Sequence, residues 1–140
     1  MKIHQLAWFK KSALAVGAVL MLSAPAHADE VSEVSSLLRA KQFSAALAKA
    51  DAYLEGRADD AQMRFLKGLV LSAMNRREDA IALFSKLSTD YPALPEPYNN
   101  LAVLYAAGGQ YDKARMALEK AVQANPGYAR AHENLADVYA

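Results

Sequence analysis

Apolar residues recur at helical spacing along most of the chain, and short polar or glycine-containing stretches interrupt them. Near its end the chain reads YNNLAVLYA over residues 98–106. Within this phrase Leu101, Leu104 and Tyr105 lie three or four residues apart, which places them on one face of a helix. No stretch shows sustained period-two alternation, so the pattern predicts helices and no sheet. The predicted helices cover 30–40, 43–55, 61–74, 77–90, 95–107, 111–124 and 129–139.

Nearly the same phrase returns as HENLADVYA over residues 132–140. The two phrases start 34 residues apart, at residues 98 and 132. When the chain is written in rows of that length, small side chains share two columns. The columns are Ala46, Ala80 and Ala114, and Val34, Gly68, Ala102 and Ala136. Two helices joined by a short turn pack antiparallel, and small side chains are needed where they cross. The period therefore predicts stacked antiparallel helix pairs, about three pairs and one terminal helix.

Residues typical of helix ends separate these segments. Gly108 and Gly109 predict the turn between the two helices of the third row. Asp59 or Asp60 can cap the start of the next helix, and Gly56 can end the helix before it.

The columns together resemble the signature of the tetratricopeptide repeat family. The third row matches at Tyr98, Leu101, Ala102, Tyr105, Ala114, Leu118, Ala121 and Pro126. The second row matches at Gly68, Leu71, Ala80, Phe84, Leu87 and Pro92, whereas the first row is degraded and the fourth keeps only its first helix. The resemblance implies an all-α fold, a right-handed α-solenoid of antiparallel helix pairs. It also implies that the first helices of the pairs line a concave groove, which binds a protein or peptide segment.

Groove positions follow from the place of each residue within its row. The candidate partner-binding residues are Gln62, Phe65, Leu69, Glu96, Asn99, Asn100, Val103, Arg130, Glu133, Asn134 and Asp137. Asn100 and Asn134 share a column, and an amide can both donate to and accept from an extended backbone. The same column holds Ser32 and Leu66, so a solvated polar face explains these residues equally well. The family's carboxylate clamp lacks its basic pair here, which disfavours capture of a C-terminal carboxylate.

Two apolar segments leave alternatives open. Phe65, Leu66 and Leu69 make the helix over 61–74 unusually apolar. Either these side chains are buried between neighbouring helices, or they form a pocket for a partner side chain. The terminal segment 129–139 can cover the last full pair, as terminal repeats do. Because it is itself apolar, its outer side is also expected to meet another molecule or a continuation of the chain beyond residue 140.

The N-terminus has the layout of a secretory signal peptide. Three lysines precede an apolar run over 12–22, and the small-x-small sequence AHA ends at Ala28. The alternative is an uncleaved membrane anchor, but a bilayer span needs about 20 apolar residues. We therefore expect a signal peptide over 1–28 and a helical repeat domain over 29–140. The mature chain is expected in the periplasm or secreted, without a stable membrane anchor.

Charge and composition narrow the chemistry. Residues 29–140 hold 13 basic and 15 acidic residues and no cysteine, so we expect neither nucleic-acid binding nor disulfides. The one histidine there, His132, stands at a position that tetratricopeptide repeats fill with large aromatic residues, which favours packing over catalysis. Glu133 and Asp137 share a helix face, but two carboxylates are too few for a hard cation.

No nucleophile motif or glycine-rich phosphate loop is present. We expect no catalytic residue, cofactor or metal. The sequence predicts a non-enzymatic binding scaffold, and its alternative is a self-assembly module that forms a homo-oligomer through the apolar terminal helix.

Overall fold

The computed structural model describes residues 25–140 as seven helices joined by short turns, with no strand in that range. The helices are α1 (Pro25–Arg39), α2 (Phe43–Gly56), α3 (Ala61–Ala73), α4 (Arg77–Asp90), α5 (Pro95–Ala107), α6 (Tyr111–Ala124) and α7 (Ala129–Tyr139). The expected all-α helical repeat fold is confirmed. The last four helices have the predicted bounds, and α2 and α3 each differ by one residue at the C-terminal end.

The first helix departs most from its prediction, because it begins at Pro25 rather than at residue 30. The stretch that follows Pro25 contains no helix breaker, and proline is tolerated in a first helical turn. The predicted signal peptide and its apolar run fall on 1–28, so all but its last residues lie outside the described range. Within that range no helix is long and apolar enough to cross a membrane.

The described residues divide into two compact units, 25–83 and 84–140. In the first unit α1 packs against α2 and α3, and α2 packs against α3. In the second unit α5 packs against α6, and α7 packs against both of them. We call α1, α3, α5 and α7 the first helices of their pairs.

Each turn inside a helix pair has the same backbone geometry. Lys41, Asn75 and Gly109 hold equivalent positions in three successive rows and have positive φ angles of 59°, 60° and 75°. The following residue donates its N–H to the carbonyl five positions back, at 2.9, 2.9 and 2.8 Å in the three copies. This bond is the 6→1 contact of a Schellman motif, which satisfies carbonyls that the helix end leaves open. The predicted turn at Gly108 and Gly109 is confirmed.

Burial follows the small-residue columns in the first three rows. Ala46, Ala80 and Ala114 have no exposed surface, and the same holds for Val34 and Ala102. Any larger side chain at these positions would meet packed atoms. The fourth-row member of the second column, residue 136, is instead exposed.

Asp60 is the cap of α3, which settles the choice left open between residues 59 and 60. Its Oδ1 atom accepts a hydrogen bond of 2.7 Å from the backbone N–H of Met63. Its Oδ2 atom accepts one of 3.0 Å from the hydroxyl of Tyr53 on α2. One carboxylate thus satisfies an unpaired donor of the helix start and joins two helices.

Candidate partner-binding face

The groove candidates of the first unit lie on α3 and are mostly apolar. Phe65 is 4% exposed and Leu69 is 6% exposed, whereas Gln62 is partly exposed. Leu66 is also buried, so Phe65, Leu66 and Leu69 are all packed, as the burial alternative expects. Gln62 is therefore the one of these candidates that combines a polar side chain with accessible surface.

The candidates on α5 are buried although three of them are polar. Glu96, Asn99, Asn100 and Val103 are 8%, 1%, 6% and 6% exposed. The Nδ2 group of Asn100 donates to the carbonyl of Glu96 one turn earlier, at 2.9 Å. This bond uses one of the four hydrogen-bonding sites of the amide and leaves the others.

The candidates on α7 are more accessible. Glu133 and Asp137 are exposed, and Arg130 and Asn134 are partly exposed. The Nδ2 group of Asn134 donates to Oδ1 of Asn99 at 2.8 Å, which joins α7 to α5. We call Asn99 and Asn134 the amide pair.

The amide pair differs from the ladder that the column suggests. Asn134 shares its column with Asn100, yet it bonds to the neighbouring residue of α5. A sequence column records equivalent positions in successive repeats, and the lateral offset of packed helices decides which side chains meet. Only an estimate of that offset could have singled out Asn99 as the contact.

An acid at the start of α5 acts electrostatically on a phenol at the start of α7. Glu96 lies in the first turn of α5, and Tyr128 is the residue that precedes α7. Burial and then the negative charge of Glu96 raise the pKa of Tyr128 to about 12, and the positive charge of Arg130 opposes this. Sequence reasoning did not select Tyr128. Its signal was available, since Tyr128 holds the same place in its row as Leu94, the residue that precedes α5.

His132 is exposed, so it does not pack as the large aromatic residues of the family do at this position. Its Nε2 atom lies 2.8 Å from the carbonyl oxygen of Pro126, to which it donates. Tyr98, the third-row member of that column, donates its hydroxyl to the carbonyl of Ser88 at 3.2 Å. In both of these rows the column is thus occupied by a side chain that bonds a carbonyl in the segment before its helix.

A concave feature of the first unit is lined by none of the predicted groove residues. It is a cavity of about 320 Å³ lined by Leu47, Asp51, Lys67, Leu71, Arg76, Asp79, Ala82 and Leu83. Its charges are matched in pairs, with Lys67 Nζ 2.7 Å from Asp51 Oδ1 and Arg76 Nη2 2.7 Å from Asp79 Oδ2. The pairing leaves this cavity with little net field for a charged ligand. In residues 25–140 no three His, Cys, Asp or Glu side chains are arranged to hold a metal ion.

Two family models, both described as tetratricopeptide repeat, match residues 31–95 and 95–138. Together they cover most of the chain. The chain belongs to the tetratricopeptide repeat family.

A curated relative of this tetratricopeptide repeat chain is the TPR repeat-containing thioredoxin TTL4 of Arabidopsis thaliana. The two are 33% identical over 72 residues, which is 51% of this chain. The matched region spans only 11% of the relative's length.

Solved structures share the fold at lower identity. The type III secretion chaperone SycD of Yersinia enterocolitica, solved in complex with a peptide of the translocator YopD, has a TM-score of 0.74 and 15% identity. The match covers 84% of this chain and 95% of SycD. YrrB, described as a TPR protein with an unusual peptide-binding site, has a TM-score of 0.70 and 23% identity over 75% of this chain and 54% of its own. At these identities the likeness is one of fold.

Proposed function

We propose that this tetratricopeptide repeat protein is a non-enzymatic scaffold that binds a protein or peptide segment along its first helices in the bacterial periplasm. The observation that carries the proposal is the amide pair. It places hydrogen-bonding groups of two neighbouring first helices in contact, at 2.8 Å.

The chemistry of the amide pair suits an extended peptide backbone. Each amide offers two N–H donors and an oxygen with two lone pairs, and the bond between Asn99 and Asn134 uses one site on each. Asn100, one residue away on α5, also has sites left. A backbone alternates donors and acceptors, so amides held in place can bind it with little dependence on its side chains.

The structural relatives give independent support. SycD was solved with a peptide of YopD, and YrrB is described as having a peptide-binding site. Periplasmic location rests on the sequence pattern over 1–28, which is typical of a cleaved signal peptide.

Site-specific photo-crosslinking in cells tests the scaffold. A photoreactive residue replaces Arg130 or Glu133 on α7, and Gln123, an exposed residue of α6, serves as the matched control. The proposal expects one defined peptide segment to be crosslinked from α7 and not from position 123. Crosslinking of the same segment from position 123 alone would contradict it.

The crosslinked segment is then synthesised and titrated by calorimetry. Asn100→Ala removes backbone-binding sites without breaking the bond between α5 and α7. Because a hydrogen bond contributes about 0.5–1.5 kcal/mol, the affinity should fall by roughly threefold to tenfold. Asn134→Ala is a poorer test, since it also strips the partner from the buried oxygen of Asn99. Location is tested separately, by finding mature protein that begins at Asp29 in the periplasmic fraction.

Self-assembly through α7 is the second candidate, and the exposure of that helix favours it. Tyr139 is 66% exposed, and Ala131 is the one residue of α7 that is buried. Val138→Glu combined with Tyr139→Ser should then dissolve an oligomer that light scattering detects in the parent protein. A monomeric parent protein would exclude this candidate.

A further inference from the structure

Glu96 is a buried acidic residue that has no ion-pair partner among the described residues. The side chain is 8% exposed, and its Oε2 atom is buried without a hydrogen-bond partner. The other buried oxygen of this kind, Oδ1 of Asp51, lies 2.7 Å from Nζ of Lys67, so its charge is matched. A buried carboxylate is unfavourable unless a cation or donors replace the lost water.

Within residues 25–140 no ion pair includes Glu96, because the pairs of this range join other residues. Arg130 is near enough to act on Tyr128 but does not reach the Glu96 carboxylate as an ion pair. The N-terminus of α5 gives Glu96 a favourable dipole, which offsets only part of the cost of removing a charge from water.

The surroundings of Glu96 suit a positively charged ligand group. The carboxylate lies at the start of α5, close enough to Tyr128 at the start of α7 for its charge to act on that phenol. The phenol oxygen can accept a hydrogen bond from the same cation. Further along α7, Glu133 and Asp137 are exposed and add negative charge to this first-helix surface.

We propose that Glu96 and Tyr128 form a subsite for one basic side chain, Lys or Arg, of the segment that this scaffold binds; the proposal therefore rests on the proposed function. An ammonium or guanidinium donates to the carboxylate of Glu96 in a charge-assisted hydrogen bond. A guanidinium has five N–H donors in a planar fork, so it can also reach the phenol oxygen.

Selection from a phage-displayed library of short linear peptides on the purified protein tests the subsite. We expect the selected peptides to share one Lys or Arg position. A selected peptide and its analogue, with citrulline or acetyl-lysine at that position, are then titrated by calorimetry. Loss of the peptide's positive charge should weaken binding about tenfold or more.

A double-mutant cycle assigns that loss to Glu96. Glu96→Gln keeps the shape of the side chain and removes its charge. It should therefore lower the affinity for the basic peptide about tenfold and change the affinity for its neutral analogue less than about twofold. Glu55→Gln, the same change at an exposed site on α2, should leave both affinities unchanged. Arg130→Gln should raise the affinity for the basic peptide, because it removes a positive charge near the subsite.

The melting temperature of Glu96→Gln separates binding from a structural role. Because the variant loses a buried carboxylate that has no ion-pair partner, its melting temperature should not fall. A marked fall, with equal weakening of the basic and neutral peptides, would overturn the subsite. Selected peptides without a basic position, bound equally by Glu96→Gln, would also overturn it and leave the scaffold intact. If no peptide is selected, the proposed function fails as well.

Discussion

The helices α5 and α7 contain nearly the same phrase and have very different surroundings. Ten of the thirteen residues of α5 are buried, from Pro95 to Ala106, whereas α7 buries only Ala131. In its unit α5 packs against α6 and α7, and Tyr98 also reaches the end of α4 through Ser88. The packing partners of α7 within this unit are the two helices that precede it. The repeated phrase therefore encodes a helix with one apolar face, and its neighbours decide how much of that helix is buried.

Matched columns show the same contrast residue by residue. Leu101 is 6% exposed, whereas Leu135 is only partly buried. Ala102 has no exposed surface, whereas Ala136 is exposed. The side chains are identical within each pair, so any difference in their energetic contribution comes from packing alone.

The largest expected effect uses the leucine pair. Leu101→Ala should lower the free energy of unfolding by about 2–5 kcal/mol, because it opens a cavity in a packed site. Leu135→Ala removes the same atoms from a half-exposed site and should cost about 1 kcal/mol or less. Urea denaturation followed by circular dichroism measures both. Equal losses would mean that α7 is covered as fully as α5.

The intermediate effect compares copies of the turn. Gly109 has a φ of +75°, and an added Cβ would meet nothing within 4 Å, so Gly109→Ala tests backbone strain without a clash. We expect a loss of about 1–2 kcal/mol. Lys41 has the same conformation without the freedom of glycine, and Lys41→Gly should stabilise by about 0.5 kcal/mol.

Both turn variants are compared with the parent protein by thermal unfolding. If both variants lost stability, the side-chain contacts of Lys41 would outweigh its backbone strain. Opposite signs would show that one turn geometry is imposed on residues of different conformational freedom.

The smallest effect concerns the residues that precede α5 and α7, and it appears only in alkali. Leu94 cannot ionise, whereas Tyr128 at the equivalent place has a pKa of about 12 against an ordinary value of 10. The folded state therefore keeps the phenol proton to higher pH than the unfolded state does. This part of the stability is fully present below about pH 10 and is lost as pH rises towards about 12.

Absorbance titration of the phenol, with Tyr128→Phe as the control, measures that pKa. Tyr128→Phe should remove this part of the loss of stability at alkaline pH. At neutral pH the phenol is not ionised in either state, so this contribution to stability is the same in the variant and the parent protein. If the phenol of Tyr128 titrated near its ordinary pKa, its side chain would be as accessible to solvent as the exposed residues of α7.

Much of the fold was predictable because its signals are local. The bounds of α4 to α7 follow from apolar spacing, from prolines in a first turn and from turn residues beside each helix. The cap of α3 was narrowed to two neighbouring aspartates for the same reason. The start of α1 was missed because the residues after Pro25 were assigned to a cleavage site, although nothing in them ends a helix.

The candidate site was predicted less well, because its geometry depends on contacts between distant segments. Asn134 shares its sequence column with Asn100, whereas in the structure it bonds to Asn99. The column analysis selected Glu96 by row position, without any indication that its carboxylate is buried. Tyr128 was not selected at all.

The sequence by itself determined the repeat period, the helix ends and the recurring turn geometry. These depend on backbone preferences and on hydrogen bonds between residues close together in the chain, such as the bond from Gln110 to the carbonyl of Tyr105. The tertiary structure alone decided which copy of a residue is buried and which polar groups meet. Those outcomes depend on segments separated by a whole repeat, as in the bond from Asn134 to Asn99. Identical residues at equivalent positions of a repeat therefore fold alike and differ in burial, charge compensation and partners.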